Sequence, residues 1–135
     1  MTATRPELKE ILPRLPVGNL SAVIDFYVKV IGFEVDMTWP EEAPTFAILA
    51  RGPVRIAFFG EDEHRKITAT GNIEVVLETS DAKAELAAVT AAGIEIEWGP
   101  EVYFYGRREF AFRDPEGNLI IFSEPTEDTP DSEDA

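Results

Sequence analysis

Residues 105–118 read YGRREFAFRDPEGN, and they contain the clearest local signal in the chain. Phe110 and Phe112 alternate with smaller or charged residues, which is the period-two pattern of a β-strand. Asp114-Pro115-Glu116-Gly117 has the composition of a tight turn, and an apolar run follows it. The stretch therefore predicts a β-hairpin whose strands span residues 108–113 and 118–123.

The order of elements around this hairpin occurs twice in the sequence. In the first half, an extended segment at 11–17 precedes a helix between Asn19 and Gly32, and strands follow at 33–37, 45–50 and 54–59. In the second half, a strand at 72–79 precedes a helix between Asp81 and Gly93, and the next strands are 94–98, 108–113 and 118–123. Phe46-Ala47-Ile48 matches Phe110-Ala111-Phe112, and Ile56-Ala57-Phe58 matches Ile120-Ile121-Phe122. Repetition in this order predicts an α+β fold of two tandem βαβββ modules, at about residues 10–60 and 72–124.

Alternation along the strands predicts which side chains face the helices. Ile56, Phe58, Ile120 and Phe122 suit the helix-facing side, which leaves Arg55, Ala57, Phe59, Leu119, Ile121 and Ser123 on the concave side. The predicted aromatic core is Phe26, Tyr27, Phe33, Phe46, Phe58, Phe110, Phe112 and Phe122. Two curved sheets side by side form a cleft, which is the default position of a ligand site.

Composition limits the function further. The chain has 135 residues and no cysteine, which excludes disulfides and thiol nucleophiles. Its net charge of −14 argues against nucleic acid and anionic membrane surfaces as partners. No apolar run is long enough to span a bilayer, and the N-terminus lacks a secretory pattern, so we expect a cytoplasmic protein. Residues 1–125 are expected to form one domain, and the acidic residues 126–135 a disordered tail.

Two sets of motifs resemble a known superfamily. Pro16-Val17-Gly18-Asn19-Leu20, Phe26-Tyr27 and Ile31-Gly32-Phe33 resemble the first-module signature of the vicinal oxygen chelate superfamily, and residues 105–110 and 113–118 resemble its C-terminal signature. This resemblance to glyoxalases, dioxygenases and especially bleomycin-resistance proteins implies a curved, mixed-sheet cleft and a homodimer. In the superfamily's enzymes, the first and last strands of each module supply the ligands of a divalent metal.

The metal-ligand positions implied by the resemblance are Leu12, Ala57, Glu74 and Ile121. Only Glu74 has a donor atom, whereas a divalent ion needs three or more protein donors. The sequence therefore predicts no metal and no cofactor. His64 lies in a polar linker and is expected to be solvated.

The candidate ligand-binding residues are aromatic or charged side chains on loops or on the concave side: Arg14, Trp39, Arg55, Phe59, Glu74, Tyr103 and Tyr105. Glu74 either binds a ligand or pairs with Arg14 or Arg55.

Three functions remain open. The first is a metal-free protein that binds a cationic or aromatic small molecule, such as an antibiotic. The second is a glyoxalase-like or dioxygenase-like enzyme. The third is an interaction module without a ligand, whose cleft is plugged by Arg14, Arg55, Leu119 and Ile121. Since one fold hosts all three functions, the resemblance does not choose between them.

Overall fold

The computed structural model describes residues 4–132. The first module contains β1 (Arg14–Pro16), α1 (Leu20–Phe26), β2 (Glu34–Trp39), β3 (Phe46–Arg51) and β4 (Val54–Phe59), and a π-helical turn (Tyr27–Ile31) continues α1. The second module contains β5 (Glu74–Glu78), α2 (Ala82–Ala91), β6 (Trp98–Tyr103), β7 (Arg107–Arg113) and β8 (Leu119–Pro125). This order confirms the predicted pair of βαβββ modules.

Each module forms its own four-stranded mixed sheet. Sheet A has the order β1-β4-β3-β2, and sheet B has the equivalent order β5-β8-β7-β6. The first and last strands of each module pair in parallel, and the other neighbours are antiparallel. The fold is therefore α+β, as predicted.

The helices begin and end where the sequence indicates. The side chain of Asn19 accepts a hydrogen bond from the N–H of Ala22, and Asp81 caps α2 in the same way through Ala84. Gly32 ends the first helical segment with φ of 85°, a left-handed conformation that favours glycine.

Two predicted strands lie differently in the structure. The expected strand at 94–98 is wrong, because β6 begins at Trp98; Ile94 and Ile96 pack against the core before the strand starts. A register irregularity between Trp98 and Glu101 accompanies this late start. In the first module, β2 extends to Trp39, whereas the expected strand ended at residue 37.

The predicted core position of Phe46 is also wrong. Ile48 lies opposite Ala57, and Ala111 lies opposite Ile121, so Ile48 and Ala111 are equivalent between the modules. The sequence match that aligned Phe46 with Phe110 was therefore one residue out of register. Phe46 lies on the side of β3 that faces away from the core.

One hydrophobic core joins the two modules. It contains buried residues from α1, its π-helical turn and α2, together with the helix-facing residues of both sheets. The ring of Phe26 on α1 lies 6.2 Å from the ring of Phe112 on β7. The predicted helix-facing residues Ile56, Phe58, Ile120 and Phe122 all belong to this core, as do Tyr27, Phe33, Phe110 and Phe112.

The turn between β7 and β8 docks onto the first module. The carboxylate of Glu116 accepts hydrogen bonds from the N–H groups of Gly18 (2.8 Å) and Asn19 (3.1 Å) at the start of α1. Nearby, the buried hydroxyl of Tyr27 donates to Asp114 over 2.8 Å. Burial and the adjacent Asp114 charge raise the pKa of Tyr27 far above its ordinary value. The two motifs noted in the sequence are thus in direct contact.

Residues 126–131, which the sequence assigns to a disordered tail, contact sheet B. The N–H of Thr126 donates to the carbonyl oxygen of Gly106, and the N–H of Asp131 donates to that of Val102. The domain boundary at residue 125 stays a prediction, and residues 133–135 lie outside the described part of the chain. Within residues 4–132, no helix is long and apolar enough to cross a membrane.

Candidate functional site

The side of each sheet that faces away from the core is open. We call these sides open face A and open face B. Open face A comprises Arg14, Met37, Trp39, Phe46, Ile48, Arg55, Ala57 and Phe59. Open face B comprises Glu74, Val76, Glu78, Trp98, Glu101, Tyr103, Arg107, Glu109, Ala111, Arg113, Leu119, Ile121 and Ser123.

Open face B has an apolar floor. Ala111, Leu119 and Ile121 are buried and form a small cluster, separate from the main core, against which Trp98 packs. Trp98 lies directly opposite Ala111, and Ala111 lies opposite Ile121, so this floor runs across β6, β7 and β8. Such a floor favours contact with the apolar surface of a ligand.

Three aromatic rings form a ladder along one side of this floor. The ring of Tyr103 meets that of Trp98 edge-on at 6.0 Å, and it stacks on that of Tyr105 at 5.6 Å with an interplanar angle of 8°. Tyr105 lies just beyond β6 and remains 52% exposed. The ladder therefore presents accessible ring surface at the edge of an apolar floor.

Carboxylates accompany the rings. Glu109 on β7 is only 8% exposed, and its carboxylate accepts a hydrogen bond from the hydroxyl of Tyr105. Burial and the nearby Glu109 raise the pKa of Tyr105 to about 12. At neutral pH the Tyr105 hydroxyl therefore keeps its proton and donates a hydrogen bond to the carboxyl group of Glu109.

Glu74 lies on open face B, because Val75 and Leu77 on the same strand pack against the core. It is exposed and forms no ion pair within 4.0 Å in the described range, although Arg113, on the same face, is near enough for their charges to attract. The alternative pairing with Arg55 is wrong, since Arg55 binds Glu10 (2.7 Å) and Asp36 (3.1 Å). The pairing with Arg14 is likewise not formed; its guanidinium lies 5.3 Å from the ring centre of Phe46.

Open face A carries a row of rings from three strands. Trp39 lies opposite Phe46, and Phe46 lies opposite Phe59. Trp39 is 63% exposed at the outer edge of the sheet. The guanidinium of Arg65, in the linker between the modules, lies 4.5 Å from the ring centre of Phe59. Arginine side chains therefore already occupy positions over two of these rings.

The seven predicted site residues fall into two groups. Open face A holds Arg14, Trp39, Arg55 and Phe59, whereas Glu74 and Tyr103 lie on open face B with Tyr105 beside them. Within residues 4–132, no hydrogen bond, ion pair or ring contact joins the two faces. A single chain thus leaves both halves of the predicted cleft open.

Sequence reasoning missed three residues of these faces. Phe46 was assigned to the core, and Trp98 and Glu109 were not considered. The alternation of Glu109 with Phe110 and Phe112 was a usable signal, because it places Glu109 on the same side as Ala111. For Trp98 there was no comparable signal, since the strand was expected to end there.

Comparison with known proteins identifies the family. The sequence profile of the Glyoxalase/Bleomycin resistance protein/Dioxygenase superfamily matches residues 8–122. The chain belongs to this superfamily. Among curated proteins, it is 26% identical over 129 residues to the bleomycin resistance protein of Geobacillus stearothermophilus, and the match covers 82% of this chain and 92% of the relative.

Two solved structures share the superfamily fold. TnmS3, an antibiotic binding protein from Streptomyces sp. CB03234, superposes with a TM-score of 0.75 at 24% identity, over 90% of this chain and 100% of that chain. A bleomycin-binding protein complexed with bleomycin superposes with a TM-score of 0.67 at 21% identity, over 87% and 98% of the two chains. At these identities the likeness establishes the fold.

The residues at the superfamily's metal positions do not fit a divalent ion. Ala57 and Ile121 hold equivalent places on the two open faces, and neither has a donor atom. No three His, Cys, Asp or Glu side chains within the described range lie close enough together to share a metal. His64 is exposed in the linker, beside Glu63 at 3.2 Å, as expected from the sequence. No chemical step through a metal follows from these residues.

Proposed function

We propose that the protein is a cytoplasmic, metal-free binding protein that sequesters a planar, cationic aromatic small molecule. The observation that carries this proposal is the ring ladder of Trp98, Tyr103 and Tyr105, which lies along an apolar floor next to carboxylates. A flat cation can stack on such rings while its charge faces Glu109, which is hydrogen-bonded to Tyr105. Glu74 lies on β5, at the opposite edge of the sheet from the rings. Each well-placed ring face contributes about 0.5–2 kcal/mol to binding of a cation.

Whole-chain charge supports the same ligand class. The net charge of −14 creates a negative potential that concentrates cations near the protein and disfavours anions. The relatives point in the same direction, since one is a bleomycin resistance protein and another is an antibiotic binding protein. Sequestration requires only binding. The described residues of the two faces include neither a set of metal ligands nor an activated nucleophile, which suits that role.

A second copy of the chain completes the site in this proposal. Each open face lacks a cover within one chain, and exposed apolar side chains such as Trp39 and Val76 remain on them. A homodimer that places face A of one copy over face B of the other covers both faces and unites the seven predicted residues around one cleft.

A matched pair of probes tests the ligand class. N-methylacridinium is a planar cation, and acridine is its neutral counterpart at mildly alkaline pH. We expect Glu109→Gln, which keeps an acceptor oxygen for the Tyr105 hydroxyl, to weaken binding of the cation by roughly fivefold, since a charge interaction near the surface is worth up to about 1 kcal/mol. Binding of acridine should change by less than about twofold, because it has no charge for Glu109 to attract.

The control variant is Asp25→Asn, which removes an equal charge from an exposed position on α1, on the helix-bearing side of the sheets away from the open faces. It should affect both probes equally and weakly. Tyr103→Ala should weaken both probes alike, because stacking does not require a charge. Stabilisation of the protein by anionic glutathione thioethers, with none by the cation, would overturn the proposal and favour an enzyme of the glyoxalase type.

A further inference from the structure

The acidic segment after β8 contacts the hairpin formed by β6 and β7. We call residues 126–131 the strap. Its first residue, Thr126, donates its N–H to the carbonyl oxygen of Gly106 over 2.9 Å. Its last residue, Asp131, forms two hydrogen bonds with Val102: its N–H donates to the carbonyl oxygen over 3.0 Å, and its carboxylate accepts the N–H over 2.6 Å.

The middle of the strap contacts the neighbouring strand. Asp128 forms an ion pair with Arg108, whose side chain is largely buried and also approaches Glu124 at 3.9 Å. The Arg108 guanidinium holds the pKa of Asp128 below its ordinary value. Arg108 on β7 lies directly opposite Val102 on β6. The strap therefore ties together the two strands of one hairpin and the turn between them.

This hairpin also carries the ring ladder. We call residues 98–113 the ring hairpin. Tyr103 directly follows Val102 in β6, and its side chain lies on open face B. Because neighbouring side chains in a strand point to opposite sides, the buried Val102 side chain points to the back of the sheet. The strap thus binds the ring hairpin at Val102, one residue before Tyr103, whose ring the proposed ligand would touch.

We propose that the strap positions the ring hairpin for ligand binding, with Asp131 and Asp128 as the positioning residues. This inference rests on the proposed function for its ligand. The turn at 104–106 is exposed at Phe104 and Tyr105. Ordering such a turn on binding lowers affinity, so a hairpin that is ordered beforehand binds more tightly.

Amide hydrogen exchange of the free protein tests the positioning directly. Asp131→Ala removes the acceptor of the Val102 N–H, and we expect this amide to exchange about tenfold faster or more, because local opening becomes easier. Asp131→Asn retains an acceptor oxygen and should restore protection to within about threefold. Glu127→Ala is the matched control, because Glu127 is an exposed acidic residue of the strap for which the structure gives no hydrogen bond or ion pair. It should leave Val102 unchanged.

Affinity measurements test the consequence. Asp131→Ala should weaken N-methylacridinium and acridine alike, by roughly three- to tenfold, since lost order penalises any planar ligand whatever its charge. In a Tyr103→Ala background the same substitution should have little further effect, because the ring it positions is gone. A purely structural role would weaken both backgrounds equally.

Three outcomes would overturn the inference: unchanged exchange at Val102, equal effects in the Glu127→Ala control, or equal loss of affinity with and without the Tyr103 ring. If neither probe binds the wild type while exchange at Val102 responds as expected, the ordering of the hairpin by the strap is supported. That result overturns only the proposed function.

Discussion

Replacing Tyr27 with phenylalanine tests whether the contact between the two signature motifs holds the modules together. Tyr27 belongs to the first module, is fully buried, and donates its hydroxyl proton to Asp114 of the second module over 2.8 Å. Tyr27→Phe removes this single oxygen and leaves the ring among its aromatic neighbours, of which Phe58 is 4.7 Å away between ring centres. The substitution therefore isolates one hydrogen bond between the modules.

The expected cost follows from what Asp114 retains. Its carboxylate still accepts hydrogen bonds from the Asn118 side chain (3.0 Å) and from the N–H groups of Glu116 and Asn118 (both 2.9 Å). The charge therefore does not become unsatisfied, and the loss is that of one hydrogen bond to a charged group. Such a bond is worth about 1.5–3 kcal/mol. For a chain of this length, that corresponds to a fall in Tm of about 5–11 °C.

Thermal and urea unfolding at one fixed protein concentration measure this loss. The matched control is Tyr103→Phe, which makes the same chemical change at a partly exposed ring whose hydroxyl lies near Glu101. We expect this control to cost below about 0.5 kcal/mol. If Tyr27→Phe costs no more than the control, the hydroxyl does not couple the modules and the reasoning fails.

Alkaline pH provides an independent check with a definite sign. Burial and Asp114 raise the pKa of Tyr27 in the folded state, so the unfolded chain loses this proton first. The stability that depends on Tyr27 is therefore complete below pH about 10 and is lost as pH rises above it, by about 1.4 kcal/mol per pH unit. Tyr27→Phe should decline less steeply with pH than the wild type, and equal slopes would contradict the assigned cause of the shift.

Two further predictions concern composition and assembly. Elemental analysis after mild purification should find no transition metal near one per chain, since Leu12, Ala57 and Ile121 offer no donors at the positions where the superfamily's enzymes bind metal; a tightly held metal that is lost in Glu74→Ala would contradict the metal-free proposal. Light scattering at low micromolar concentration should give about twice the chain mass of 15.0 kDa, because the open faces need a second copy to cover them; a species of single-chain mass would remove the shared cleft from the argument.

The fold could be predicted from the sequence because its signals are local and occur twice. Capping residues such as Asn19 and Asp81, and the turn at 114–117, mark the ends of elements by their own hydrogen bonds. The helix-facing residues of β4 and β8 followed from alternation alone. The late start of β6 was harder to predict. Ile94 and Ile96 alternate with charged residues as in a strand, but they pack on the core before β6 begins to pair with β7.

The site was harder to predict because it depends on register between strands. The likeness of Phe46-Ala47-Ile48 to Phe110-Ala111-Phe112 concealed a shift of one residue, and such a shift moves every side chain to the other side of the sheet. The division of the predicted residues between two open faces was likewise invisible, since it arises from how the two sheets share one core. That the strap would contact β6 depends on the position of Val102 relative to Asp131, which nothing in the acidic composition indicates.

The two modules carry different side chains at equivalent positions of their open faces. A site built from both faces therefore has two chemically different sides. Phe46 on open face A is the structural equivalent of Glu109 on open face B, and Arg14 is the equivalent of Val76. Two identical faces would offer a ligand the same groups from both sides. At these two positions, open face A has a ring and an arginine where open face B has a carboxylate and a valine. In a symmetric dimer, each proposed cleft would combine one face of each kind, so a cationic ligand would bind in a single orientation and with one molecule per chain.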